Sequence, residues 1–160
     1  MSRGRIVALL CALAAVPAGA LFLSPRAQAT GPEAIRYDRD TCAHCRMHFA
    51  ARGFAAERRD EKGALHKYDD IGCMLIAASR AASGEAWVED HAGGGFVPLL
   101  TATLVAGKDL GTPMGYGVVA FRDPAAAARY AKAHAAKVVA LEDLLHDESR
   151  FGAHHEEVHR

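Results

Sequence analysis

Two successive segments of this chain share one order of predicted secondary structure, and that order restricts the folds open to the chain. When residues 68–70 (YDD) are aligned with residues 121–123 (FRD), 53 positions later, the segments at about 42–91 and 99–140 both run as strand, strand, helix and strand. Strands that follow each other in sequence tend to pair, and a helix packs on the sheet that they form. We therefore predict an α+β fold in which two pseudo-repeated ββαβ units form one small compact domain.

The alternation of side chains and the turn residues predict the strands of both halves. In the first half, residues 51–58 and 64–68 are predicted to form an antiparallel hairpin around a turn at 60–63. The other predicted strands are residues 85–90, 99–105, 116–121 and 137–140, with a flexible link at 91–95 and a long turn at 107–115.

Two helices are predicted from apolar spacing and from caps. In the first half, apolar residues at i, i+3, i+4 and i+7 indicate a helix over about 71–82, preceded by the short carboxylates of Asp69 and Asp70. The second helix is predicted over 125–135, after Asp123 and with a proline at its first position. A short carboxylate at these positions can accept hydrogen bonds from the exposed amides of the first turn, so both helices have a defined start.

The first 29 residues have the pattern of an export signal. A basic segment at residues 2–5 precedes an apolar run at 6–23, and the sequence AQA at 27–29 is a small-x-small cleavage signal. We predict that residues 30–145 form the domain and that the mature protein is periplasmic. The apolar run approaches the roughly 20 residues that span a bilayer. An uncleaved N-terminal anchor is therefore an open alternative.

Charge and cysteine content exclude some classes of function. The predicted leader holds three arginines, so the mature chain has 16 basic against 19 acidic residues, and no basic patch indicates a nucleic-acid partner. Three cysteines remain, and an odd number is a poor disulfide framework in an oxidising compartment. At least one thiol is therefore free, or all are kept reduced for binding. Residues 146–160 are polar and rich in histidine, and they are predicted to be a disordered tail.

One segment of the first half, TCAHCRMH, concentrates side chains that bind metals. A soft cation such as Cu(I) prefers thiolate and thioether sulfur, whereas Zn(II) gains little from a thioether, so the methionine is informative. We predict Cys45 and Met47 as the core pair of a Cu(I) site, with Cys42 or a nearby imidazole such as His48 as a further donor. Met114 is the next predicted ligand, because two pseudo-equivalent halves could bring their loops to one end.

Other chemistry stays open for these cysteines. Cys42 and Cys45 could form a disulfide or serve a thiol oxidoreductase, although a redox C-x-x-C normally opens a helix. A structural zinc site could recruit Cys73 and His66. Without such a role, Cys73 is predicted to be a core residue, since free cysteine is commonly buried. Haem attachment is excluded, because a histidine must follow the second cysteine and Arg46 stands there.

Three linked motifs carry a resemblance to a known family. They are Cys42-x-x-Cys45-x-Met47, the segment YDDIGC at 68–73, and TPMGYG at 112–117 with AF at 120–121. In this order and at these separations, the sequence over residues 40–145 resembles the NosL family. These are copper-binding accessory proteins for the assembly of nitrous oxide reductase.

The resemblance implies an exported Cu(I) chaperone that is not an enzyme and that folds as two ββαβ units. The implied partner is apo nitrous oxide reductase or its membrane maturation machinery, and we expect a monomer. Members of the family are commonly lipoproteins, but no convincing lipobox surrounds Cys11. Membrane association through the N-terminus is therefore an open question.

Overall fold

The computed structural model describes residues 30–78, 84–147 and 151, and these residues form two antiparallel sheets. The strands are β1 (Ala56–Arg59), β2 (Leu65–Tyr68), β3 (Glu85–Glu89), β4 (Phe96–Pro98), β5 (Thr103–Ala106), β6 (Val118–Phe121) and β7 (Lys137–Val139). The helices are α1 (Ile71–Ala78), α2 (Pro124–Ala133) and α3 (Leu141–Leu145), with one 3-10 turn at Leu99–Thr101. The predicted export signal, the end of the first predicted helix and most of the predicted tail lie outside the described residues. In the described part of the chain, no helix combines the length and apolar character needed to cross a membrane.

Both sheets place the first strand of their half between two antiparallel neighbours. The first sheet has the order β2-β1-β3-β4, with Ala56 opposite Tyr68. The second sheet has the order β6-β5-β7, with Leu104 opposite Ala120. A parallel bridge between Asp90 and Ala120 connects the two halves. The predicted α+β fold is confirmed and each half contains the order strand, strand, helix, strand, whereas the structural equivalence of the halves stays a prediction.

The first strand begins at Ala56, later than the predicted start at residue 51. Gly53 has a φ of +82°, a left-handed conformation that interrupts an extended strand. The N–H groups of Gly53 and Ala55 donate to Oε2 of Glu89 at 2.7 and 3.3 Å. Because a side chain from β3 satisfies these amides, this stretch does not need a strand partner.

The predicted strand at 99–105 was wrong in its first part. Residues 99–101 form the 3-10 turn, in which the Ala102 N–H donates to the carbonyls of Pro98 and Leu99 at 3.1 and 3.3 Å. Strand β4 and helix α3 were not predicted. With three and five residues, these elements are too short to show a periodic pattern.

Helix α1 is buried on nearly all sides, although the sequence predicted one apolar face. All residues from Ile71 to Ile76 are buried, and the helix contacts β1 and β2 of the first sheet and β6 of the second. Burial of a side chain such as Ile71 or Met74 contributes about 1.5–3 kcal/mol to stability. Cys42 and Cys73 belong to the same core cluster. Core packing therefore positions two of the thiols.

Candidate metal centre

The loop of residues 41–48 carries two of the three cysteines in the described chain. Its ends pair in an isolated bridge between Thr41 and His48, and the Cys42 N–H donates to the Met47 carbonyl at 2.8 Å. The next element along the chain is the strand β1. A redox-active C-x-x-C would open a helix, so the local fold does not favour a thiol oxidoreductase.

Strand β2 and a buried charge network hold this loop in place. The Ala43 N–H donates to the Lys67 carbonyl at 2.8 Å. The Lys67 Nζ lies 3.1 Å from Oδ2 of Asp40 and 3.8 Å from Oε1 of Glu57, and both carboxylates are buried. At the far end of the loop, the Phe49 N–H donates to the Asp40 carbonyl at 3.3 Å. The loop is thus fixed at both ends before any ligand binds.

Two side chains of the loop and two from the start of α1 and the residues before it lie close together. They are Cys42, Cys45, Asp69 and Cys73. Their sulfur and carboxylate oxygen atoms all lie within 4.8 Å of one another. Cys45 is half-buried and the other three are buried, and all three thiols are free. The Cys45 thiol donates to Oδ1 of Asp69 at 3.4 Å. We call these four residues the thiol cluster. Anionic groups this close repel one another unless protons or a cation lie between them. The thiol cluster is therefore a candidate metal centre.

The start of α1 links this cluster to the loop that carries Met114. Asp70 is fully buried, and its Oδ1 accepts the Gly72 N–H at 2.8 Å. This bond confirms the predicted helix cap. The other oxygen, Oδ2, accepts the Met114 N–H at 3.0 Å. One carboxylate therefore holds the helix of the first half and a loop of the second half together.

Replacing Asp70 by Asn is expected to lower the free energy of unfolding by about 1–3 kcal/mol, the cost of a buried polar group without a partner. An amide has one acceptor oxygen, so the N–H of either Gly72 or Met114 loses its acceptor. Urea unfolding measures the change. The matched control is Asp123→Asn, because Asp123 caps α2 at an exposed site and Asn caps helices as well as Asp. Equal losses in the two variants would contradict the role given to Asp70.

An open cleft of about 280 Å³ lies beside the thiol cluster. Met47, His48 and Met114 contribute to its lining, and so does Asp69. Met47 is 58% exposed, whereas Met114 is half-buried. Among the described residues, Asp69 alone belongs to both the thiol cluster and the lining of this cleft. Asp69 is therefore the residue at which the thiol cluster adjoins the cleft with the exposed thioether.

The contacts between the thiols determine their protonation. A hydrogen bond from Cys73 lowers the pKa of Cys42 to about 4, and burial raises the pKa of Cys45 to about 12. The pKa of Cys73 is raised by its hydrogen bond to Cys42 and by burial. Burial also raises the pKa of Asp69 to about 6. Of the three thiols, Cys42 therefore loses its proton most readily, and a bound cation would displace the protons of the other two.

The five donors predicted from the sequence divide between the two parts of the site. The thiol cluster contains Cys42 and Cys45, and the cleft is lined by Met47, His48 and Met114. Asp69 and Cys73 were predicted chiefly as a helix cap and a core residue, and the structure places both in the thiol cluster as well. The signal that could have found them is the segment YDDIGC, which contains both. His66 lies elsewhere, with its Nε2 2.8 Å from Oδ2 of Asp60.

The fold and the site define a small α+β protein with a thiol-rich candidate metal centre and an adjoining thioether cleft. The NosL family model matches residues 35–149, and the chain belongs to the NosL family. The crystal structure of the copper chaperone NosL from Shewanella denitrificans matches with a TM-score of 0.64 and 14% sequence identity, over 71% of this chain and 94% of that chain. This likeness supports the fold. Among curated proteins, none matches the chain.

Proposed function

We propose that this protein is a Cu(I)-binding metallochaperone of the periplasm that delivers copper for the maturation of nitrous oxide reductase. The observation that carries the proposal is that Asp69 belongs both to a cluster with three free thiols and to the lining of a cleft with two methionines. Membership of the NosL family supports it, as does the fold shared with a protein described as a copper chaperone. In this proposal the protein carries copper and catalyses no reaction.

The donor set fits Cu(I) because sulfur dominates it. Cu(I) prefers soft thiolate and thioether ligands, and the two parts of the site offer both. We propose Met47 and Met114 of the cleft and Cys45 of the thiol cluster as the ligands, with Cys42 or His48 as a further donor. Because Met47 is 58% exposed, the ligand of a partner protein can reach the ion. A partly exposed site with few ligands permits rapid transfer.

Met47→Leu is expected to weaken Cu(I) binding at least about tenfold, because even the loss of an outer partner of a metal site costs about that much. Competition with a chromophoric Cu(I) chelator, using the full chain with its thiols reduced, measures the affinity. The matched control is Met74→Leu, which removes a buried core thioether that belongs to neither part of the site. A change of the same size in both variants would remove the support for a thioether ligand.

Cu(I) affinity is expected to fall as the pH falls. Cys45, with its pKa of about 12, keeps its proton near neutral pH, and Cu(I) must displace that proton to bind the sulfur. One displaced proton lowers the apparent association constant about tenfold for each unit of pH, between about pH 8 and pH 6. The same competition assay at several pH values measures the slope. A thioether has no proton to lose, so an affinity independent of pH would contradict binding by Cys45.

A structural zinc site is the second candidate function. The thiol cluster contains three cysteines and one aspartate, a set that could surround Zn(II) tetrahedrally. The two candidates differ at Met47, which a zinc site would not use. If Zn(II) stabilises the protein against unfolding more than Cu(I) does, and Met47→Leu leaves both effects unchanged, the zinc candidate replaces the copper carrier.

Delivery is tested separately from binding. Copper-loaded protein is mixed with apo nitrous oxide reductase, and the copper content of the reductase is followed after the two proteins are separated. We expect faster loading than from the same concentration of a Cu(I) chelate, because a docked carrier supplies the ion locally. Equal loading rates would leave a copper-binding protein with a different recipient.

A further inference from the structure

The sulfur donors of this protein fall into two sets that differ in access to solvent. Cys42 and Cys73 are fully buried in the core, whereas Met47 is 58% exposed and Met114 is half-buried. Cys45 is half-buried and lies in the thiol cluster. The lining of the cleft includes both methionines but none of the three cysteines. An ion that enters through the cleft therefore meets the thioethers before it meets the inner thiols.

The number of donors exceeds the need of one ion. Cu(I) is a d¹⁰ ion without a preferred geometry and is satisfied by about two or three soft donors. The thiol cluster and the cleft together contain five sulfur atoms, three from cysteine and two from methionine. One ion bound by Cys45, Met47 and Met114, with His48 as the further donor, leaves the thiols of Cys42 and Cys73 without a role in binding.

The fold fixes the positions of the two inner thiols, Cys42 and Cys73. The Cys42 carbonyl accepts the Arg46 N–H at 3.1 Å within the closed loop. Cys73 lies in α1, next to Gly72, where an added Cβ would come within 2.3 Å of the Tyr116 ring. Helix α1 is thus closely packed against Tyr116 at the residue next to Cys73. Donors whose positions are set by packing bind a metal with little reorganisation.

We propose that Cys42 and Cys73 form a second, inner Cu(I) site, so that the protein carries two copper ions that exchange at different rates. The inference rests on the proposed function and deepens it. The Cys45 sulfur lies within 4.8 Å of both inner sulfurs. A sulfur–copper bond forms at each cysteine that binds, and a proton that the sulfur still carries is released to solvent. Copper remains Cu(I), and no oxidant or reductant takes part.

The test is a titration of the reduced full chain with Cu(I) under anaerobic conditions. Native mass spectrometry is expected to show two bound copper ions. Removal by a bathocuproine chelator is expected in two phases, the slow one at least about tenfold slower than the fast one, because release from a buried site requires a local opening of the fold. One bound ion, or a single phase, would overturn the inner site and leave the proposed function intact. No tightly bound copper at all would overturn both.

Two sets of variants assign the sites. Cys73→Ser is expected to reduce the stoichiometry from two copper ions to one and to remove the slow phase. Cys42→Ser, which removes the other inner thiol, is expected to do the same. The double variant Met47→Leu with Met114→Leu is expected to keep one ion and the slow phase. Retention of two ions by both serine variants would contradict the assignment, and the two phases of the unaltered protein test the proposal even if a variant fails to fold.

Discussion

Cys45→Ser is expected to lower the Cu(I) affinity at least about 100-fold, the largest effect on binding of any single change proposed for this site. Loss of an outer partner alone costs about 10- to 100-fold, and Cys45 is a direct ligand in the proposed site. Serine offers Cu(I) a hard oxygen in place of a soft sulfur. It can still donate to Asp69, so the hydrogen bond now made at 3.4 Å has a replacement. Competition titration of the reduced protein measures the affinity.

The control for this prediction is His48→Gln. His48 lines the same cleft but offers an imidazole nitrogen, which Cu(I) prefers less than sulfur. We expect its loss to weaken binding much less than the loss of Cys45 does, because nitrogen is the less preferred donor. If His48→Gln and Cys45→Ser weakened binding equally, sulfur would not be the element that selects the metal. Urea unfolding of the Cys45 variant separates a lost ligand from a lost fold.

The parts of the fold that were predicted correctly depend on neighbours in sequence. Asp70 and Asp123 cap the helices that follow them through bonds to amides two or three residues away. The start of β1 was predicted wrongly, because the acceptor for the amides that precede this strand comes from a residue distant in sequence. Glu89 accepts the amides of Gly53 and Ala55 from strand β3. No local pattern could reveal that contact.

In the candidate site, too, the features set by neighbours in sequence were predicted and those set by distant contacts were not. Cys42, Cys45 and Met47 lie within six residues, so their chemistry was visible in the sequence. Cys73 joins them only because α1 is packed between the two sheets, and its apolar neighbours in the sequence predicted a core position instead. Met114 is held near the site through its bond to Asp70, across 44 residues. The residue types of a sulfur site could thus be predicted, whereas the division into buried and exposed donors required the tertiary structure.

Phe49→Ala is expected to lower the free energy of unfolding by about 3–5 kcal/mol, as large-to-small changes of buried aromatic residues do. Phe49 is fully buried, and its ring meets the ring of Tyr37 edge-on at 6.4 Å between centroids. Its carbonyl accepts the Asp38 N–H at 3.1 Å, so the residue also links the end of the loop at 41–48 to the segment that precedes it. Alanine leaves a cavity there and keeps the backbone bonds. Chemical unfolding of the reduced protein measures the loss.

Leu100→Ala is the matched control, because Leu100 is 87% exposed and its truncation is expected to change stability by no more than about 0.5 kcal/mol. Added Cu(I) should stabilise the Phe49 variant, since a ligand that binds only the folded state raises its stability. If Phe49→Ala lowered the free energy of unfolding no more than Leu100→Ala does, packing of Phe49 in the core would not stabilise the loop at 41–48. The fixed positions of Cys42 and Cys45 would then require another cause, because Phe49 is the fully buried apolar residue that directly follows the loop.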